Sequence, residues 1–505
     1  MDINKLQNEL SQILLEIIDS EPFIDEKVNE VHPDYKSSAK NLLRYLILRS
    51  KDLRSYHGAL SDLGVSSLRS AEGYVFSNVY NVVRNLHLIQ NNPFVIDTDV
   101  EIIGYTRSQE LIREHASNLF NDIKKDHFTE IMVTLPEEAA DDQDLIYKMA
   151  QSGMEIARIN LSHGHLGIWE KMVSNIRAVE KETGQRIKIY MDLSGPKIRT
   201  SEIKIRSKKG KIKNSIHVRV GEHILLAKEP EAFQVSESSN KRKNNKKTIQ
   251  VLLEEVIDDS RIGETVLFDD GMIKSVVIDK NENSLKLKIT ECYKPKIGSH
   301  KGINLPQTRL NLPALTEKDM SDLPFACQNA DIIGYSFVRS ENDVQKLYTE
   351  LEKYNAAHLG VVFKIENQEA FENLPEILLK GMKQNKIGVM IARGDLAVEI
   401  GFERISEVQN EILWICEAAH VPVIWATQVL ENLAKTGIPT RAEISDAALS
   451  AQAECVMLNK GKSIITAIKV LKNILIRMEG HSFKKKNELR ALKVAQSFML
   501  KLKNE

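Results

Sequence analysis

The chain has 505 residues, 42% of them hydrophobic, so it exceeds one typical domain and can bury a sizeable core across two or three folded units. Its 69 Lys and Arg nearly cancel its 70 Asp and Glu, a balance that gives no global field for nucleic acid or an anionic membrane; neither is expected as a partner, and any anion site is a local cluster for a small ligand. Cys292, Cys327, Cys416 and Cys455 lie too far apart for a zinc knot or a disulfide framework and read as buried thiols in a reducing compartment.

The start, Met1-Asp2-Ile3-Asn4-Lys5, lacks a basic segment followed by an apolar core, and no uninterrupted apolar stretch reaches membrane-spanning length, so a soluble cytoplasmic protein is expected. Leu42, Leu43, Leu46, Ile47, Leu53, Leu60 and Leu63, then Val75, Val79, Val82, Val83 and Leu86, recur at helix spacing and predict a small helical bundle. The pattern then changes to short β-rich runs alternating with amphipathic helices: Ile131–Leu135, Ile156–Leu161, Ile187–Leu193, Asp331–Phe337, Val361–Ile365, Ile387–Ile391, Val421–Ala426 and Cys455–Leu458. Eight such units predict an α/β fold of the (β/α)₈ TIM-barrel type, with chemistry at the C-terminal strand ends.

The spacing breaks once, where residues 201–298 alternate apolar and polar side chains and predict an inserted small β-barrel domain. Its basic run Lys241–Lys247 reads as a solvated loop. Beyond Met478, the basic Lys484-Lys485-Lys486 and a helix over Ala491–Leu502 are expected. The expected division is therefore an N-terminal helical extension over 1–125, a barrel over 126–200 and 299–480, an inserted lid over 201–298 and a basic helical tail over 481–505.

Arg158, Asn160, Asp192, Lys364, Glu366, Asp395 and Thr427 all fall at the C-terminal ends of predicted strands. Glu366 and Asp395 form an oxygen-only pair that suits a hard divalent ion such as Mg²⁺, with its other positions left to water and substrate oxygens. Lys364 beside them can neutralise charge that develops during reaction, and Arg158 offers a phosphate two parallel hydrogen bonds. Carboxylates at strand ends also cap helices or pair with surface arginines, and that reading stands for these residues taken alone.

Arg158-Ile159-Asn160-Leu161-Ser162-His163-Gly164, Asp192-Leu193-Ser194-Gly195-Pro196-Lys197-Ile198-Arg199-Thr200, Asp269-Asp270-Gly271 and Lys301-Gly302-Ile303-Asn304-Leu305-Pro306 occur in this order. They are followed by Ser336-Phe337-Val338-Arg339, Lys364-Ile365-Glu366-Asn367, Ala392-Arg393-Gly394-Asp395-Leu396, Ala426-Thr427-Gln428 and Pro439-Thr440-Arg441-Ala442-Glu443. In these strings the chain resembles the pyruvate kinase family. The resemblance implies phosphoryl transfer from phosphoenolpyruvate to ADP, giving pyruvate and ATP in glycolysis, with Mg²⁺ and often a monovalent cation. It implies Lys364, Arg158 and Thr427 as catalytic residues, and Lys364, Gly394, Asp395 and Thr427 as substrate-binding ones. It further implies Asn160, His163, Arg199 and Lys301 for the nucleotide and Glu366 and Asp395 for Mg²⁺. A homo-oligomer is expected by analogy.

Asn160, Ser162 and Asp192 match the family's monovalent-cation site, but Leu193 and Lys197 resemble the potassium-independent branch. The Lys197 ammonium is therefore expected to stand where K⁺ would. Two loops depart further: Thr134-Leu135-Pro136-Glu137-Glu138 puts acids beside the expected nucleotide, and Met457-Leu458-Asn459-Lys460-Gly461-Lys462 lacks the family's usual hydroxyl. The helical extension, with no room for the family's C-terminal allosteric domain, resembles some long bacterial members. Two alternatives stay open: a metal-dependent lyase acting on pyruvate or phosphoenolpyruvate, and a metabolite-sensing relative that binds nucleotide poorly.

Overall fold

A computed structural model describes residues 2–96, 98–121, 128–206, 212–228, 247–484 and 486–487. The basic run up to Lys246, Lys485 and the Ala491–Leu502 segment lie outside the described residues.

Eight parallel strands close into a barrel: β1 (Glu130–Thr134), β2 (Ile156–Asn160), β3 (Lys188–Asp192), β4 (Ile332–Tyr335), β5 (Gly360–Ile365), β6 (Ile387–Ala392), β7 (Val423–Ala426) and β8 (Cys455–Leu458). Each pairs with its neighbours in the chain, and β1 pairs with β8. The runs are almost wholly buried because helices cover their outer faces, which is why they read as continuous apolar stretches. Several strand ends shift by one residue from the sequence expectation, and two shift by two residues. β7 begins at Val423 because Pro422 has no N–H for the ladder. β4 stops at Tyr335 because Phe337 turns into the left-handed region, φ 55°.

Period-two alternation sorts the barrel interior into layers. Met132, Ile156, Tyr190, Ile332, Val362, Met390, Ile424 and Cys455 share one buried cluster. Two residues further along the same strands stand Thr134, Arg158, Asp192, Gly334, Lys364, Ala392, Ala426 and Met457. One step towards the C-terminal end thus converts an apolar layer into a charged one.

Among the described residues six α-helices precede the barrel: α1 (Ile3–Asp19), α2 (Glu21–Lys27), α3 (Lys36–Arg49), α4 (Arg54–Asp62), α5 (Val75–Ile89) and α6 (Tyr105–Leu119). The end of α6 closes the barrel floor, where Ala116, Leu119 and Phe120 join the interior cluster. Gly360 and Gly388 make the room: a Cβ on either would lie within 2.6 Å of a Leu119 methyl carbon. Buried polar contacts fix the extension to the barrel, with Asn41 Nδ2 donating to the Ala418 carbonyl at 2.8 Å and His115 Nδ1 meeting the His420 carbonyl at 2.7 Å.

Between β3 and β4 the described residues form a six-stranded sheet and two short ribbons, Ile205–Arg206 with Ile212–Lys213 and Ser215–His217 with Lys296–Gly298. The sheet and the second ribbon pack on one apolar core that includes Ile216, Val266, Phe268, Leu285, Leu287 and Ile297. Among the described residues the expected small β domain of the insert is thus a six-stranded sheet with short ribbons beside it.

Candidate active site

Four predicted residues meet at the barrel mouth. The Lys364 ammonium lies 3.0 Å from Glu366 Oε1 and 3.4 Å from Asp192 Oδ1, and donates to Ser336 Oγ at 2.7 Å. Ser336 Oγ itself donates to the Leu193 carbonyl at 2.7 Å, so a lone pair is left for the ammonium. Arg158 donates through Nε to Asp192 Oδ2 at 2.7 Å, through Nη2 to the same oxygen, and through Nη1 to Thr134 Oγ1 at 2.8 Å. Glu366 Oε2 accepts from the Phe337 N–H at 2.8 Å, which the left-handed turn at Phe337 presents.

Burial and charge set the protonation of this group. Burial works to raise the Asp192 pKa, but Arg158 and Lys364 outweigh it and hold the carboxyl below its usual range. Burial works to strip the Lys364 proton, yet Asp192 and Glu366 hold its pKa above the ordinary lysine value. Glu366 moves upward through burial, against Lys364 and with Asp395.

That upward push on Glu366 is the observation that tests the site for a divalent ion. A carboxylate pushed upward by burial and by the neighbouring Asp395 charge belongs to an oxygen donor set that a small hard cation relieves. Among the described residues no group of three or more His, Cys, Asp or Glu forms a metal cage. Two carboxylates with substrate and water oxygens suit Mg²⁺ on those terms.

Asp395 belongs to the helix Arg393–Ile400, which begins directly after β6. Thr427 follows β7 with φ 65°, and its Oγ1 accepts the Gly394 N–H at 2.8 Å. Because that oxygen is the acceptor, its own proton is free to point into the site. Arg393 holds this turn through Nε to the Ala426 carbonyl at 3.0 Å and Nη2 to the Thr427 carbonyl at 2.6 Å, while pairing with Asp446 and lying 4.8 Å over the Trp425 ring.

Asn160 and His163 border a separate cavity of about 280 Å³, whose walls include Arg158, Trp169, Glu137, Lys435, Asn459 and Lys460. Burial, then Lys460 and Arg199, push the His163 pKa below the ordinary imidazole value. Both departing loops therefore reach this one cavity.

Four further predicted residues take other partners. Lys197 pairs with Asp395 at 2.8 and 3.1 Å, and not with Asn160, Ser162 or Asp192. The reason is electrostatic: Asp192 is already faced by two cations, whereas Asp395 is within reach of the Lys197 stem. Lys301 is held 3.0 Å from Asp269, on the insert. Arg199 donates to the His300 carbonyl at 3.1 Å, and the exposed Ser162 gives its N–H to Asn160 Oδ1 at 3.0 Å. Ser336 and Asp446 carry no role in the sequence reading; the signal for Ser336 is its place at the end of the predicted strand Asp331–Phe337.

The family described as "Pyruvate kinase, barrel domain" matches residues 126–465. The chain belongs to the pyruvate kinase family. It is 33% identical over 358 residues to a pyruvate kinase of Bacillus licheniformis and 32% identical over 358 residues to one of Geobacillus stearothermophilus, in each case covering 70% of this chain. The chain spans 57% of the length of these curated relatives. A crystal structure of a pyruvate kinase from Cryptosporidium parvum superposes with a TM-score of 0.60 at 28% identity, covering 72% of this chain and 70% of that one. The residues assembled at the mouth all lie inside the segment that matches the pyruvate kinase barrel.

Proposed function

We propose that the chain is a pyruvate kinase, moving the phosphoryl group of phosphoenolpyruvate to ADP. The enol C–O–P bridge breaks on the oxygen–phosphorus side, a terminal ADP oxygen takes the phosphorus, and the enolate left behind gains a proton at its methylene carbon. Lys364 and Arg158 face the phosphoryl group as its charge spreads over the equatorial oxygens. The N–H groups at the start of Arg393–Ile400 suit the substrate carboxylate. The free Thr427 proton lies beside Gly394 and serves protonation of the enolate. Mg²⁺ on Glu366 and Asp395 would supply Lewis-acid polarisation of the enol oxygen. Asn160 and His163 line the cavity read here as the nucleotide site, to which Arg199 and Lys301 come once released from their present partners. The reading extends to turnover without added K⁺, and to a homo-oligomer acting in the cytoplasm. No helix among the described residues is long and apolar enough to cross a membrane.

The observation that carries the proposal is Lys364 held between Glu366 and Asp192, with Arg158 on the far side of Asp192. Purified protein with phosphoenolpyruvate, ADP and Mg²⁺ is expected to form pyruvate and ATP in equal amounts. Pyruvate without ATP would point to a lyase or phosphatase. Neither product would favour the sensing relative, the reading that Glu137 on the wall of the nucleotide cavity supports.

A further inference from the structure

Below the charged layer, one polar side chain stands in apolar company. Tyr190 is fully buried and shares the interior cluster with Met132, Ile156, Ile332, Val362 and Met390. A phenol placed there gives up its hydrogen bonds to water and must regain one inside the barrel.

Its partner is indicated by a glycine. Gly334 pairs in register with Asp192 across β4 and β3. A Cβ built on Gly334 would lie 2.2 Å from the Tyr190 hydroxyl and 2.2 Å from Asp192 Oδ1, so the two oxygens face one another across the space that a side chain would fill. Neither is in a hydrogen bond of ordinary geometry with any described residue, so each is a buried oxygen able to satisfy the other. Burial and the adjacent Asp192 hold the phenol pKa well above its normal value, so Tyr190 keeps its proton and can only donate to the carboxylate.

We propose that Tyr190 is a positioning residue for Lys364, acting through Asp192 from beneath. Its O–H shares Asp192 Oδ1 with the ammonium, while Arg158 takes Oδ2. The shared oxygen attracts Lys364 less strongly, and the ammonium stays at 3.4 Å from it, raised towards the mouth where a phosphoryl group arrives. This rests on the reading of Lys364 as the cation that meets that group.

Tyr190→Phe keeps the ring and its packing and removes a single O–H. A crystal structure of the full-length variant, which needs no turnover, is expected to show Lys364 Nζ closed onto Asp192 Oδ1 at about 2.8 Å, the ordinary distance of a charge-assisted pair. In the phosphoenolpyruvate and ADP assay with Mg²⁺, kcat is expected to fall about tenfold, with KM for phosphoenolpyruvate within about twofold of the parent. In an Asp192→Asn background the same change is expected to alter kcat by less than about twofold, because the route of its influence is already cut. An unmoved Lys364 in the crystal overturns the proposal. So does an equal loss of kcat in both backgrounds, which would make Tyr190 a packing residue. A parent protein that forms no pyruvate and ATP would sink the functional reading alone, and the crystal comparison would still decide the role of Tyr190.

Discussion

The two ends of the barrel both bury carboxylates and use them in opposite ways. At the floor, each carboxylate is anchored by a backbone N–H: Glu454 accepts the Val423 N–H at 2.9 Å and also pairs with Lys484, Glu155 accepts the Ile131 N–H at 3.2 Å, and Glu130 accepts from Asn121 N and Nδ2, both at 3.1 Å. At the mouth, Asp192, Glu366 and Asp395 face cations and one another. A buried acid is therefore a poor marker of chemistry by itself. What separates the ends is whether an acid stands singly on the backbone or several charges converge on one another, as Asp192, Arg158, Lys364 and Glu366 do.

The comparison breaks if the mouth tolerates loss of its central cation. Lys364→Met is expected to lower kcat by about 10³-fold with little change in melting temperature, since the ammonium acts on charge that develops in the transition state. Steady-state rates and a thermal melt of the same sample check it. Loss of stability with retained turnover would place Lys364 among structural ion pairs, as at the floor.

The reverse behaviour is expected where α6 enters the barrel. Phe120 is 1% exposed in the cluster that fills the interior, and Phe120→Ala is expected to cost about 3–5 kcal/mol of stability, read from denaturant melts. Turnover per folded molecule should stay within about twofold, because the apolar layer lies between this position and Lys364. A large kcat loss with unchanged stability would mean that the floor is coupled to the chemistry.

Much of this division was legible in the chain. Runs such as Val361–Ile365 and Ile387–Ile391 are too apolar and β-branched for exposed strands, and their spacing places Lys364 at one strand tip and Asp395 just past the next. Register does the rest: if Val362 points inward, so does Lys364. What a linear pattern does not carry is the choice among equivalent partners. Lys197 and Lys301 read as cations beside anion sites, yet Lys197 pairs with Asp395 and Lys301 shares Asp269 with Lys294. Likewise, the sequence predicts a helical extension over 1–125, but nothing local says that its end, at Leu119 and Phe120, enters a barrel. Tyr190 reads as an ordinary strand aromatic until Gly334 lies opposite.

A smaller effect comes from Glu399, which lies one helical turn beyond Asp395 and accepts from Asn304 Nδ2 at 2.8 Å. Burial, with Asp395 adding to it against the Asn304 bond, pushes its pKa up to about 7. A carboxyl whose folded pKa is raised stabilises the fold fully below its unfolded value and loses that contribution as pH rises through the folded one. The metal-free protein should thus lose about 1–3 kcal/mol between pH 4.5 and 7 relative to Glu399→Gln, measured by parallel denaturant melts. Parallel pH profiles for the two proteins would show that Glu399 is as solvated as a surface acid.

The finest test concerns Lys197, where sequence and structure point in different directions. Standing in for K⁺, its ammonium would sit with Asn160, Ser162 and Asp192, and Lys197→Met would create a potassium requirement. Paired with Asp395, as the structure has it, the same ammonium competes with the divalent ion for one of two carboxylates. The pair is 30% and 21% exposed on its two sides, so screening keeps its worth near about 1 kcal/mol. Lys197→Met is then expected to tighten Mg²⁺ binding about fivefold in calorimetric titrations without substrate, and to leave turnover indifferent to K⁺. Unchanged Mg²⁺ affinity together with a new dependence on K⁺ would return Lys197 to the monovalent site and make its contact with Asp395 a feature of the substrate-free state alone.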